Sequence, residues 1–146
     1  MSFDISERIE TGIMAELNKN AYIIANSIPV RRYRDNTLEI SPPEIVVFSR
    51  IPNTDNDRGQ GVWESATEII CYTYTPDDKQ MVTLRAIVEA AWDTITQTSL
   101  AQFTVSGQIT FNGIVMDQGH DEEYNDKDQY VRLQLLVNVE DATITT

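Results

Sequence analysis

One cysteine, Cys71, and one histidine, His120, occur in 146 residues. A single thiol excludes a disulfide framework within the chain and suits a reducing compartment. The scarcity of both residue types excludes the usual zinc spacings, Cys-x-x-Cys and His-x-x-x-His. The 6 glycines form no phosphate-cradling loop. Apolar runs reach only four or five residues, as in Ala21–Ala25 and Ile45–Phe48, whereas a membrane-spanning helix needs about 20. The opening Met1-Ser2-Phe3-Asp4-Ile5 lacks a basic stretch ahead of an apolar one, so no secretory leader is expected. Basic residues are also few. Eleven Lys and Arg face 23 Asp and Glu, a formal net charge of -12. Such a surface repels phosphate backbones and anionic membranes, which excludes tight or sequence-reading nucleic-acid binding.

What is present is the composition of one soluble domain spanning 1–146, with 41% hydrophobic and 23% charged residues. A chain of this length can remove roughly two-thirds of its unfolded surface from water. The charge is unevenly spread. Arg31, Arg32, Arg34, Arg50 and Arg58 lie in the first half, while from Ala86 onward only Lys127 and Arg132 oppose ten acids. A basic front and an acidic back can join copies of one chain through complementary patches.

The periodicity predicts an α+β fold: a mixed, mostly antiparallel sheet of four to five strands with two main helices on one face. Ile5, Ile9, Ile13 and Leu17 form an apolar stripe on a helix over Asp4–Leu17, opened by a capping-box pair, Asp4 and Glu7. Gly12 inside it marks close packing. Tyr22–Ile24 and Ile28–Val30 read as short strands or extended connections, and Glu44–Ile51 as a strand buried on both faces. A long polar loop, Pro52–Gly61, leads to a strand over Trp63–Thr75. Thr75-Pro76-Asp77-Asp78 then starts a second helix, with Leu84, Ile87, Val88, Ala91, Trp92 and Ile95 on its inner face. Phe103–Val105 and Gln108–Met116 read as strand, bulged at Gly107, and Asp117–Asp128 as a second polar loop. In the last strand Val131, Leu133, Leu135, Val137 and Val139 alternate with Arg132, Gln134, Leu136 and Asn138, so one face is buried and the other meets solvent or a partner. Residues 141–146 read as a flexible C-terminal tail.

No catalytic constellation emerges. Cys71 lies in a strand and His120 in a distant loop, so no spacing joins nucleophile to base. Asn53, Asp55, Asp57 and Glu64 occupy positions one, three, five and twelve of a calcium loop, but Arg58 stands where the sharp turn needs glycine, and the flanks read as strands. Neither a metal nor a cofactor is expected. The acids beside His120 raise its expected pKa. Trp63, Tyr72 and Tyr74 are the aromatics available to line a pocket in a small ligand-binding module, or else belong to core and sheet surface.

The helix Asp4–Leu17, the strand Ile69–Tyr74 entering a helix through Thr75–Asp78, and the closing segment Asp128–Val137 carry a family resemblance. In size, acidity and element order the chain resembles the tail terminator and tail-completion proteins of long-tailed bacteriophages. The likeness is one of pattern over most of the chain, and no functional residue transfers by motif. The resemblance implies a non-enzymatic virion protein of the tail–neck region, assembled in the host cytoplasm as a homohexameric ring. Such a ring caps the tail tube, stops its growth, meets the sheath of a contractile tail and docks the head–tail connector, while DNA passes through without specific binding. On this reading Arg31, Arg32 and Arg34, with loop residues Asn53, Asp55, Asp57, Arg58 and Gln60, reach a neighbour or the tube. Asp121, Glu122, Glu123, Asp126 and Asp128 line the lumen or rim. A neck or baseplate adaptor ring shares the same pattern.

Overall fold

The sheet is built on β6 (Asp128–Asp141), whose alternation is kept along its length. Val131, Leu133, Leu135, Val137 and Val139 are all buried on one face. Antiparallel neighbours flank β6 on both sides: β4 (Val62–Tyr74), paired from Val62 with Glu140 to Tyr74 with Asp128, and β5 (Ile109–Tyr124). β2 (Glu44–Ser49) pairs antiparallel with β4, and β1 (Val30–Arg32) lies parallel to β2. The order is β1-β2-β4-β6-β5, with the two-residue β3 (Asn53–Thr54) attached to β4. The mixed, mostly antiparallel α+β architecture is the expected one, enlarged to six strands by the short β1 and β3. This computed structural model describes residues 2–32, 42–50, 53–54 and 61–142, without the side chains of 2–4, 53–54 and 117–120.

Two long helices cover one face. α1 (Ser2–Leu17) presents Ile5, Ile9, Ile13 and Leu17, and α3 (Val82–Gln97) presents Leu84, Ile87, Ala91 and Ile95. These join Ile45, Val47, Ile69, Cys71 and the inner row of β6 in one core. Each buried Ile or Leu contributes about 1.5–3 kcal/mol. Gly12 sits where α1 meets the short α4 (Leu100–Phe103): a Cβ there would lie 2.4 Å from the Phe103 carbonyl oxygen and 2.9 Å from the Phe111 ring. The close packing expected of this glycine is therefore present. β2 is buried at Glu44, Ile45, Val46 and Val47, on both faces as its continuous apolar run predicts.

Several local expectations are corrected. α1 begins at Ser2, so Asp4 lies inside the first turn instead of preceding it. Tyr22–Ile24 is helical, within α2 (Ala21–Ala25), because the Asn20 Oδ1 accepts hydrogen bonds from the Tyr22 and Ile23 N–H groups. Residues 74–78 turn without entering a helix, and α3 starts only at Val82. The Asp78 carboxylate still caps it from a distance, accepting from Thr83 N at 3.0 Å and Leu84 N at 2.8 Å. Phe103 ends α4 and is not in a strand. Gly107, at φ 75, serves the turn between Val105 and Ile109, whereas the bulge falls between Phe111 and Gly113. The polar segment Asp117–Asp128 is mostly strand: β5 runs to Tyr124, and only Asn125–Lys127 turns, around an Asn125 Oδ1 that accepts from Lys127 N and Asp128 N. Trp92 is 42% exposed; the inner stripe of α3 is narrow, and the residue after Ala91 points past the edge of the core.

Two substitutions check these contacts. Gly12→Ala destabilises the protein by about 1–3 kcal/mol in urea unfolding, despite the roughly 1 kcal/mol that alanine brings to a helix interior. Asp78→Ala removes a helix cap and costs about 1–2 kcal/mol, whereas neutral behaviour would show the cap to be idle.

Candidate interaction surfaces

Of the arginines proposed for a neighbour, Arg31 and Arg32 are engaged within their own chain. Arg31 and Glu44 face each other across the β1–β2 pair on the helix-free side, where the guanidinium donates from Nε and Nη2 to the two Glu44 carboxylate oxygens, both at 2.6 Å. Those bonds raise the Arg31 pKa, against the opposing effect of burial. Arg32 turns to the helix side: its Nε is 3.2 Å from Glu10 Oε1, and its Nη2 donates to Thr11 Oγ1 at 2.6 Å. Glu10 is wholly buried, and its second oxygen accepts from Ser49 N at 2.8 Å, which ties α1 to β2. Arg50 pairs with Glu68 at 3.2 Å. Sequence reading missed Glu10 and Glu44 as partners because nothing in their spacing shows which strand comes alongside. Arg34, Asp55, Asp57, Arg58 and Gln60 lie outside the described residues. The Asn53 backbone is paired with Glu64 across β3 and β4, so the ends of the calcium-like spacing are hairpin partners. No group of three or more His, Cys, Asp or Glu is placed to hold a metal ion among the described residues.

The acids assigned to a lumen or rim fall on the β5–β6 hairpin. Asp121 sits opposite Arg132 and Glu123 opposite Tyr130, on the helix-free face. Asp121 accepts from Arg132 Nη1 at 3.4 Å and from Gln134 Nε2 at 3.2 Å. Glu122 belongs to the helix side, opposite Val131, and accepts from the Tyr124 hydroxyl. Asp126 is exposed in the turn, and Asp128 closes it, accepting from Asn125 Nδ2 at 3.2 Å. Hydrogen bonding to Glu122 and Glu123 raises the pKa of Tyr124 and Tyr130 respectively, while burial is the main cause for Tyr72. The side chain of His120, and with it the expected pKa shift, lies outside the described residues.

Two grooves on the described surface are lined by exposed apolar side chains. On the helix-free face, Ala66, Val115 and Leu136 contribute to a groove of about 710 Å³ flanked by Arg50, Glu68 and Gln134. Leu136, at an otherwise polar position of β6, is the signal that was available for it. On the helix side, Val88, Trp92 and Tyr124 contribute to a groove of about 430 Å³ between α3 and the hairpin. The three aromatics considered for a pocket are split: Trp63 packs on the core, Tyr72 lies against Tyr130 with ring centroids 5.4 Å apart, and Tyr74, half-buried, ends β4 opposite Asp128. Cys71 is buried, and burial pushes its thiol up to about 12.

Arg32→Ala removes the guanidinium beside the buried Glu10 and destabilises the fold by about 3 kcal/mol. Arg50→Ala, at a side chain 60% exposed, costs less than about 1 kcal/mol. Equal losses in thermal or urea unfolding would contradict this division. Alkaline titration separates the tyrosines. Tyr72, Tyr124 and Tyr130 hold their protons above the usual value near 10. Their contribution to stability is therefore present below that pH and lost as pH rises through the elevated folded values. A spectrophotometric titration in which all tyrosines ionise together at the unfolded value would refute it.

No known protein-family model matches the chain, and no curated protein matches it.

Proposed function

We propose that the protein is a structural ring component of a long bacteriophage tail, acting as a tail terminator. It caps the tail tube, halts polymerisation and presents a docking surface to the head connector, with DNA passing through the ring. The observation that carries the reading is the β5–β6 hairpin. There Asp121, Glu122, Glu123, Asp126 and Asp128 gather on one antiparallel ribbon, with Lys127 and Arg132 as the only cations along it. A hairpin of that sign at the inner edge of a ring repels phosphates and keeps a transiting duplex from sticking. The internal pairing of Arg31, Arg32 and Arg50 supports the same division of labour. These cations offset carboxylates of the fold, leaving the acidic ribbon with an arginine only at Asp121 and assembly to less charged surfaces.

The direct test is electron microscopy of tails assembled without this protein. Tubes of uncontrolled length that fail to join heads are expected; tubes of normal length attached to heads would remove the reading. A second test isolates the ribbon. Glu123→Gln with Asp126→Asn leaves tail length unchanged and slows DNA release, most clearly at low salt, where repulsion has its longest range. Unchanged release at low ionic strength would show that the acids do not face DNA.

A further inference from the structure

Asn112 is the extra residue of the first β5 bulge. Phe111 pairs with Val139 and Gly113 with Asn138, so no residue of β6 stands opposite Asn112. Its side chain is exposed and joins no hydrogen bond or ion pair among the described residues. Other asparagines are held. Asn125 Oδ1 accepts from Lys127 N and Asp128 N, and Asn26 Nδ2 donates to the Tyr22 carbonyl oxygen at 2.9 Å. Asn138 is followed by the β-branched Val139, whereas Asn112 alone among the asparagines is followed by glycine. Packing does not account for that glycine. A Cβ on Gly113 would meet only Asn138 Nδ2, at 3.8 Å, and its φ lies outside the left-handed region.

We infer that Asn112-Gly113 is a site of spontaneous deamidation, a covalent modification whose only co-reactant is water. The Gly113 amide nitrogen attacks the Asn112 side-chain carbonyl carbon. A new N–C bond closes a succinimide ring, the attacking nitrogen gives up its proton, and the side-chain nitrogen leaves as ammonia. Water then opens the ring. Attack at the former side-chain carbonyl gives aspartate; attack at the main-chain carbonyl gives isoaspartate, whose backbone runs through the former side chain. Glycine favours the closure, because no Cβ crowds the nitrogen and its backbone turns freely. The nitrogen must leave the ladder to react. Such opening is least costly on a border strand whose pairing is already broken at the adjoining residue. Either product adds one negative charge to the formal net of -12. Isoaspartate also lengthens the main chain where β5 is already out of step with β6.

The test is a time course on the folded full chain in mildly alkaline buffer at body temperature. Samples are digested and mapped by mass spectrometry, with electron-transfer fragmentation to separate isoaspartate from aspartate. A gain of one dalton is expected to accumulate at Asn112, mainly as isoaspartate, several-fold faster than at Asn26, Asn125 or Asn138. Gly113→Ala has room for its methyl group and is expected to slow the gain several-fold, with thermal unfolding close to that of the unaltered protein. If that variant does not fold, amide hydrogen exchange of the unaltered chain replaces it. The Gly113 N–H is then expected to exchange faster than that of Leu135 in the doubly paired β6. No gain at Asn112, equal rates at all four asparagines, or a gain that appears only in urea would overturn the site. So would an unchanged rate in Gly113→Ala, or a Gly113 N–H that exchanges as slowly as that of Leu135.

Discussion

Double pairing of β6 is the constraint on which the other features depend. One strand is hydrogen-bonded along nearly its whole length to β4 on one side and β5 on the other. Its period of two commits every second residue to a single core, so both long helices pack on the same side. Among the described residues no helix covers the other face, where charged, aromatic and apolar side chains all occur. β5 accompanies β6 to the start of that strand, pairing as far as Tyr124 with Gln129, so the acids of the hairpin are carried on a paired ribbon.

Charge is sorted by the same frame. Glu10 and Glu44 are buried, and each carries an arginine whose side chain stays partly in water. Placing a carboxylate inside is tolerated only with such a partner and further hydrogen bonds, as the Ser49 N–H supplies to Glu10. The scarce cations are therefore spent inside the fold and along its near edges. The net charge of -12 is expressed most plainly where no arginine was built in, at the turn of the hairpin. Electrostatics and topology point to the same end of the molecule.

The architecture was legible in the sequence wherever a stripe or an alternation decided burial, as in α1, α3, β2 and β6. Local chemistry was less legible where a distant group settled it. The start of α3 is fixed by Asp78 reaching past Met81, which no adjacent motif announces. The β5 segment rich in acids reads as a loop because such residues are rare in strands, yet its partner strand holds it extended. The bulge did have a signal: Ile109, Phe111, Ile114 and Met116 are spaced two, three and two apart, which places one extra residue next to Gly113. Of the candidate site residues, the hairpin acids do fall together. Arg31 and Arg32 instead turn out to be occupied, since their partners Glu44 and Glu10 become neighbours only once the elements are packed in register.

β5 forms one border of the sheet, and its register breaks twice, between Phe111 and Gly113 and between Met116 and His120. Each break interrupts the even row of outward N–H and C=O groups that an extended chain needs in order to zip on. A crowded pool of this polypeptide is thereby guarded against growing continuous fibres, because a sheet running from molecule to molecule requires an unbroken seam.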